Sequence, residues 1–448
     1  MRSLLESTAE RAIGYLEALP ERAVAPSAAA VAGLSALDGP LPEQPTPPKD
    51  VIRQLDEVCS PATMAMAGPR FFGFVIGGSL PVALAANWLA GAWDQNSALY
   101  NVTPATAELE RLALRWLIDL FGLPPACGGG FVTGATVANF TALAAARHGV
   151  LARAGWDVEA DGLIGAPPVT VVVGEEAHPT LFKALGLVGL GRKRVVRVPV
   201  DGQGRMRADV LPRLSGPTII CAQAGNIHSG AFDPLPAICE WGHAAGAWVH
   251  VDGAFGLWAA AVPGLAGLTV GLAEADSWAT DFHKWLNVPY DSGIAIVRDA
   301  NALRAAMAIT ADYLPTDSPI RNPSDFTPEL SRRARGVEVW AALRALGRAG
   351  VIDLIERTRR HARRFAEGLA AAGYEVMNEV ALNQVTVVVG DAERTVRVAA
   401  AIQADGTCYC GPTVWQGRAA IRISVSSWAT TEEDVERSLA AMIRVGGG

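Results

Sequence analysis

A chain of 448 residues, half of them hydrophobic, is long enough for two or three folding units and a large buried core. Its 38 basic and 45 acidic residues leave a net charge of −7, which excludes the basic face that a nucleic-acid backbone requires. No apolar run reaches the roughly 20 residues of a membrane span. The six cysteines (Cys59, Cys127, Cys221, Cys239, Cys408 and Cys410) form no CxxC pair, so structural zinc is not expected and free thiols in a reducing cytoplasm are the default.

In chain order, the opening segment MRSLLESTAERAIGYLEAL sets Glu6, Glu10 and Glu17 among apolar residues. It reads as an amphipathic helix rather than a signal peptide. A Pro/Ala-rich stretch over 20–48 follows, and residues 1–60 together form a helical arm. Residues 61–332 then alternate helix-like Ala/Leu segments with short β-branched runs: VTVVV (169–173), VVRVPV (195–200), TIICAQ (218–223), AWVHVD (247–252), SWAT (277–280) and SGIAIV (292–297). Runs apolar at nearly every position are strands covered on both faces, as in a mostly parallel sheet, so this is an α/β domain. Residues 300–332 lose the periodicity and gain Pro, Asp and Ser, the pattern of a functional loop. Residues 333–448 return to helices and two strand-like runs, NQVTVVVG and AAIRISVS, which make a smaller α+β domain.

Four features inside the α/β domain carry chemistry. In GGGFVTGATVANFTALAAARHG (128–149) a glycine-rich turn runs into a helix with Thr136 near its start, a place where outward backbone N–H groups suit a phosphate. In VVVGEEAHPTLF, His178 sits between a buried strand and a helix and can stack on a flat ring. In AWVHVDGAFG, Asp252 ends a buried strand and needs a partner, because an unpaired buried carboxylate is unfavourable; a pyridinium nitrogen is such a partner. In DSWATDFHKWLNVPYDSG, Lys284 lies among Phe282 and Trp285. Apolar surroundings favour the uncharged amine that forms a Schiff base with a carbonyl. A second glycine cluster, GLVGLGRKR (186–194), follows a helix and precedes a strand, the wrong order for a dinucleotide loop. Together the four features specify a phosphorylated aldehyde with a protonatable ring nitrogen, which is pyridoxal 5′-phosphate (PLP).

The chain resembles the group II PLP-dependent amino-acid decarboxylases, the family of the aromatic-amino-acid, glutamate and histidine decarboxylases. The likeness runs from GPRFFGFVIGGSLPVALAANWLAGAWDQNSALYNVTPATAELE (68–110) through ELSRRARGVEVWAALRALG (329–347) to IRISVSS (421–427). Ser277, Trp278 and Lys284 match the family's spacing of serine, aromatic, five residues, lysine. The resemblance implies an aspartate aminotransferase-like fold of type I, with a mostly parallel seven-stranded sheet and a smaller C-terminal α+β domain. It implies catalytic roles for Lys284, as the imine-forming residue, for Asp252, on the ring nitrogen, and for His178, on the ring's upper face. Ala254 then packs under the ring, and Gly134, Ala135, Thr136 and His283 bind the phosphate, with Ser277 close by. The segment AQAGNIHSGAFDP (222–234) matches a stretch near the cofactor, with Asn226 and Ile227 in place of two threonines.

The activity implied is removal of the carboxylate from an L-amino acid, giving an amine and carbon dioxide, in a homodimer with a shared active site. Phe74 in FFGFVI, with Trp93 and Tyr100, points to an aromatic or apolar substrate; Arg422 occupies the place of a substrate-carboxylate ligand. In the family a tyrosine on a loop delivers the proton to Cα. Here the family's Asp-Tyr falls on Asp325–Phe326, which opens aldehyde-forming oxidative deamination, carbon–carbon cleavage or transamination as alternatives; Tyr313 on the same loop is the substitute donor.

Overall fold

The computed structural model describes residues 1–309 and 320–447; Tyr313 lies outside the described residues. The large domain is built on seven strands: β1 (Gly128–Val132), β2 (Thr170–Gly174), β3 (Val195–Val198), β4 (Thr218–Gln223), β5 (Trp248–Asp252), β6 (Ser277–Asp281) and β7 (Gly293–Val297). Their order is β1-β7-β6-β5-β4-β2-β3. Strands β3, β2, β4, β5 and β6 are parallel, and β7 runs antiparallel between β6 and β1. Antiparallel to an antiparallel strand, β1 points the same way as the rest.

The strands are apolar throughout because both faces are covered. In β7, Ile294 and Ile296 enter one core while Ala295 and Val297 enter the other, the period of two that a pleated strand imposes. The helix Ala135–Arg153 covers the second face with buried alanines at 138, 142, 145 and 146, small enough to bring its backbone close to the sheet. The first face is filled by larger side chains, among them Trp258, Trp278 and Trp285, which are almost fully buried.

One element differs from the sequence reading. Gly128–Val132 is a buried strand and not a glycine-rich turn. Its glycines are there for space: a β-carbon at Gly130 would collide with the Phe326 carbonyl oxygen, and one at Gly128 would lie 2.8 Å from Ala300. Periodicity carries no signal for a strand made of such residues.

The small domain is an antiparallel sheet of β8 (Glu375–Val376), β9 (Gln384–Val388), β10 (Gly411–Trp415) and β11 (Arg418–Ser424), in the order β10-β11-β9-β8. The helix Gly336–Ala371 joins the two domains. Val339 and Leu343 belong to the large core, and Phe365 and Leu369 to the small one. It is interrupted at Gly347, whose φ of 61° suits a residue without a side chain. At the N-terminus, the helices Arg2–Ala18, Ala28–Gly33 and Pro48–Cys59 bury no residue. Among the described residues no helix is long and apolar enough to cross a membrane.

Candidate active site

Strands running one way bring their C-terminal ends, and the loops that follow, to one edge of the sheet. A cavity of about 310 Å³ lies at that edge. Lys284, three residues beyond β6, and Asp252, the last residue of β5, both line it, as do His178, Ala254 and the Gly134–Thr136 turn after β1. Residues far apart in sequence therefore meet because each follows a strand.

Lys284 is held by its own loop. Its Nζ stands 3.1 Å from Asp281 Oδ2 and 5.9 Å from the centroid of the Phe255 ring. The aromatic neighbours named from sequence turn inward: Trp285 donates to Thr358 Oγ1 at 2.9 Å and Phe282 stacks on Phe131 at 5.8 Å. The segment around Gly77 braces the loop from outside, since the Gly77 N–H donates to the His283 carbonyl at 3.2 Å and a β-carbon at Gly77 would collide with the Lys284 carbonyl.

Asp252 is buried and aimed by two donors. The Ala254 N–H reaches Oδ1 at 3.2 Å and Asn139 Nδ2 reaches Oδ2 at 3.1 Å. His178 caps the helix Pro179–Leu187. Its Nδ1 accepts the Thr180 N–H and lies 2.6 Å from the Thr180 hydroxyl, so the lone pair is engaged and the proton sits on Nε2. Burial lowers the His178 pKa below its ordinary value, and the charges of Lys284 and Arg422 push the same way against Asp252. His178 is thus a neutral, fixed ring.

At the opposite end, Gly134 precedes the helix Ala135–Arg153 and supplies a wall without a side chain; a β-carbon there would press on Asp281 and His283. The Ala135 N–H donates to Asp281 Oδ1 at 2.5 Å. His283 donates through Nδ1 to the Ser292 carbonyl at 3.0 Å and stacks on Tyr290 at 4.2 Å. Burial lowers its pKa, with Asp281 opposing.

Two residues assigned to the cofactor stand elsewhere. Ser277 is the first residue of β6, at the far end of that strand from Lys284, and its hydroxyl is enclosed by Trp248 and His250. Asn226 turns away from the cavity: its Nδ2 donates to Glu176 Oε2 at 3.1 Å and its Oδ1 accepts the His228 N–H at 2.8 Å. The adjacent Ile227 faces the cavity instead.

The side chains assigned to substrate also lie off the cavity. Phe74 is largely exposed and stacks on Tyr409 at 6.5 Å. Trp93 is exposed at the end of the helix Pro81–Trp93, and the Tyr100 backbone is tied to Asn322. Phe326 packs against β1, with the Arg321 guanidinium 4.5 Å above its ring. Arg422 comes nearest. It is held behind Ile227, whose carbonyl it reaches at 3.5 Å, and burial lowers its pKa to about 10.

Sequence reasoning missed Asp281, Thr180, Tyr290 and Phe255, all on the cavity. The signal for Asp281 was present, since SWATD ends a buried strand in an acid just as AWVHVD does. Thr180 was legible in His-Pro-Thr as a cap partner. Tyr290 and Phe255 stand on loops that no periodicity places.

Residues 33–389 match the pyridoxal-dependent decarboxylase conserved domain. Among curated relatives, tryptophan decarboxylase 1 of Oryza sativa subsp. japonica is 29% identical over 67% of this chain and 63% of its own. The aromatic-L-amino-acid decarboxylase of Bacillus atrophaeus is 26% identical over 70% of this chain and 66% of its own. The match thus spans just under two thirds of the length of both relatives. The crystal structure of Oryza sativa TDC with PLP and tryptamine superposes with a TM-score of 0.91 at 24% identity, covering 100% of this chain and 97% of that one; a likeness at that identity is one of fold.

Proposed function

This chain belongs to the pyridoxal-dependent decarboxylase family, and from that premise we propose that it decarboxylates an L-amino acid with an aromatic or apolar side chain. The observation that carries the reading is the convergence of Lys284, Asp252, His178 and the Gly134–Thr136 turn on one cavity.

The residues present fit PLP. Lys284 offers a primary amine to its aldehyde. Asp252, whose two oxygens already accept hydrogen bonds from behind, offers an anion to its ring nitrogen. The flat neutral ring of His178 suits one face, and Ala254 leaves room on the other. The helix beginning at Ala135 offers the backbone N–H groups that follow Ala135, whose own N–H Asp281 takes, to its phosphate. When bound, PLP supplies an electron sink for the pair released as the bond from Cα to the carboxylate breaks.

The chain's own groups do the rest. Asp281 Oδ2, 3.1 Å from Lys284 Nζ, is placed to take a proton from that nitrogen and return it. Ile227 and Phe255 make the walls apolar, which suits a hydrophobic side chain and strengthens electrostatic contacts by excluding water. Arg422, held by the Ile227 carbonyl off the cavity, adds a positive charge that acts on His178.

The working unit is a homodimer. Leu5, Ile13, Leu55, Trp88, Leu89 and Trp93 are all exposed on the arm and the helix beside it, apolar side chains of the kind that a partner subunit covers. Its setting is the cytoplasm, where six unpaired cysteines are stable.

The test is incubation of the PLP-loaded protein with each of the twenty amino acids, with carbon dioxide and aldehyde read in parallel. Carbon dioxide with an equal amount of amine from an aromatic or apolar amino acid is expected. Aldehyde with ammonia, or turnover of charged amino acids alone, would overturn the reading.

A further inference from the structure

Behind Asp252, on the side away from the cavity, four side chains from three elements are joined end to end. Trp248 Nε1–H donates to Ser277 Oγ at 2.9 Å. Ser277 Oγ lies 2.9 Å from His250 Nδ1, His250 Nε2 lies 2.8 Å from Asn139 Oδ1, and Asn139 Nδ2 donates to Asp252 Oδ2 at 3.1 Å. Asn139, His250 and Ser277 are fully buried.

Hydrogen-bond complementarity fixes the direction of this chain. A carboxylate only accepts, so the Asn139 amide must turn its NH₂ toward Asp252 and its carbonyl toward His250. That carbonyl only accepts, so His250 must carry its proton on Nε2. Its Nδ1 then accepts, the Ser277 hydroxyl donates to it, and the serine oxygen receives the indole N–H. Every donor points toward Asp252. A proton on Asp252 Oδ2 would face the Asn139 NH₂ and could be met only by turning that amide and reversing each link behind it, which would take from the Ser277 hydroxyl the His250 acceptor it now has. The arrangement with no proton on Oδ2 is the one that Trp248 completes without reversal.

We propose that His250 is a positioning residue: through Asn139 it holds the Asp252 carboxyl in orientation, and its Nε2–H tautomer reports that the oxygen facing Asn139 carries no proton. The groups facing it are polar and uncharged apart from Asp252 itself, reached through Asn139, and Cys221, in register on β4. Burial keeps the Cys221 thiol protonated. Burial also lowers the His250 pKa to about 3, in keeping with a ring that stays neutral across the working range. The proposal rests on the cofactor reading above for what Asp252 faces, but the state of the relay is measured without it.

The experiment uses the full-length chain labelled with ¹⁵N-histidine, before and after PLP is added. Nitrogen-15 spectra from about pH 8 to about pH 5 should show His250 protonated at Nε2, unprotonated at Nδ1 and unchanged throughout. An Nδ1–H tautomer, or titration near the ordinary 6.5, would overturn the proposal. PLP affinity by fluorescence titration supplies the second arm. His250→Leu, which leaves the Asn139 carbonyl unsatisfied, should weaken binding roughly tenfold. His250→Gln, which restores a donor there, should recover most of that loss. Equal losses in the two variants, or none in His250→Leu, would reduce His250 to packing. Failure of the wild-type chain to take up PLP would overturn the cofactor reading and leave the tautomer result standing.

Discussion

The large domain and the N-terminal arm handle apolar side chains in opposite ways. In β5, β6 and β7 every residue is buried, while the three arm helices bury none. Their Leu5, Ile13 and Leu55 remain exposed. A sheet wrapped by helices satisfies its own backbone and packs its own side chains, so its strand ends are fixed points on which chemistry can be mounted. The arm packs Tyr15 and Leu16 on a small cluster with Leu19, Val24 and Ala65 and leaves other apolar side chains to water, a face that suits a further surface. The candidate site belongs to the first region, and the proposed dimer would draw on the second.

The sharpest way to break that division is Lys284→Ala. It removes the amine at the centre of the cavity and touches nothing on the arm. Cofactor-dependent absorbance and turnover should both vanish while the oligomeric state by light scattering is unchanged. Asp252→Asn comes next. The amide carries no charge and has one acceptor oxygen where the carboxylate has two, so it can keep the bond to Asn139 but cannot balance a charged ring nitrogen. Turnover should fall by about a hundredfold or more, and near-wild-type turnover would remove Asp252 from the chemistry.

Acid should act on the two packed domains before the arm, because no histidine precedes His148 in the chain. Burial holds the pKa values of His250 at about 3 and of His228 and His361 at about 4, against an ordinary 6.5. Below 6.5 the unfolded chain binds protons that the folded chain does not, so stability rises with pH through this window. The contribution is fully present above 6.5 and is lost as pH falls toward 4. Thermal midpoints should drop over that interval, and His361→Gln should flatten the fall without changing PLP binding.

Trp88→Ser with Trp93→Ser tests the arm side of the comparison. Both rings are nearly half exposed, so the fold should tolerate the change while the dimer weakens. Sedimentation should shift toward monomer with circular dichroism unchanged; an unshifted dimer would move the interface elsewhere.

How much of this was legible in the sequence follows the same division. Asp252 and Lys284 could be placed because a strand end fixes where the next residue points, and the alternation of apolar runs finds strand ends. His178 and Thr136 could be placed because a helix start has a known set of free N–H groups. Ser277 was misplaced by one strand length: spacing tied it to Lys284, but a strand carries its first and last residues to opposite edges of the sheet. Asn226 was assigned from a matched segment, yet a loop asparagine is free to satisfy its own turn, as the bond to the His228 N–H shows. Phe74 and Tyr100 lie on connections whose path no pattern of hydrophobicity records, and Trp93 closes a helix whose exposed face periodicity does not orient toward the cavity.

The smallest effect expected is that of Phe326→Tyr, and it bears directly on the product. The sequence reading set Phe326 where a phenol delivers a proton to the substrate. The structure sets it against β1, its carbonyl pressed into the space left by Gly130 and its ring beneath the Arg321 guanidinium. The ring packs against the core beside β1 and under Arg321, and Phe326 is not among the residues lining the cavity that holds Lys284. The ratio of amine to aldehyde should therefore be the same in Phe326→Tyr and the parent chain, with stability changed by no more than about 1 kcal/mol. Gly130→Ala gives the complementary readout: its β-carbon would have to displace the Phe326 carbonyl, so it should destabilise the fold by roughly 1–3 kcal/mol. If Phe326→Tyr shifted the product ratio while Gly130→Ala left stability untouched, residue 326 would belong to the cavity and the loop's course along β1 would have to be redrawn.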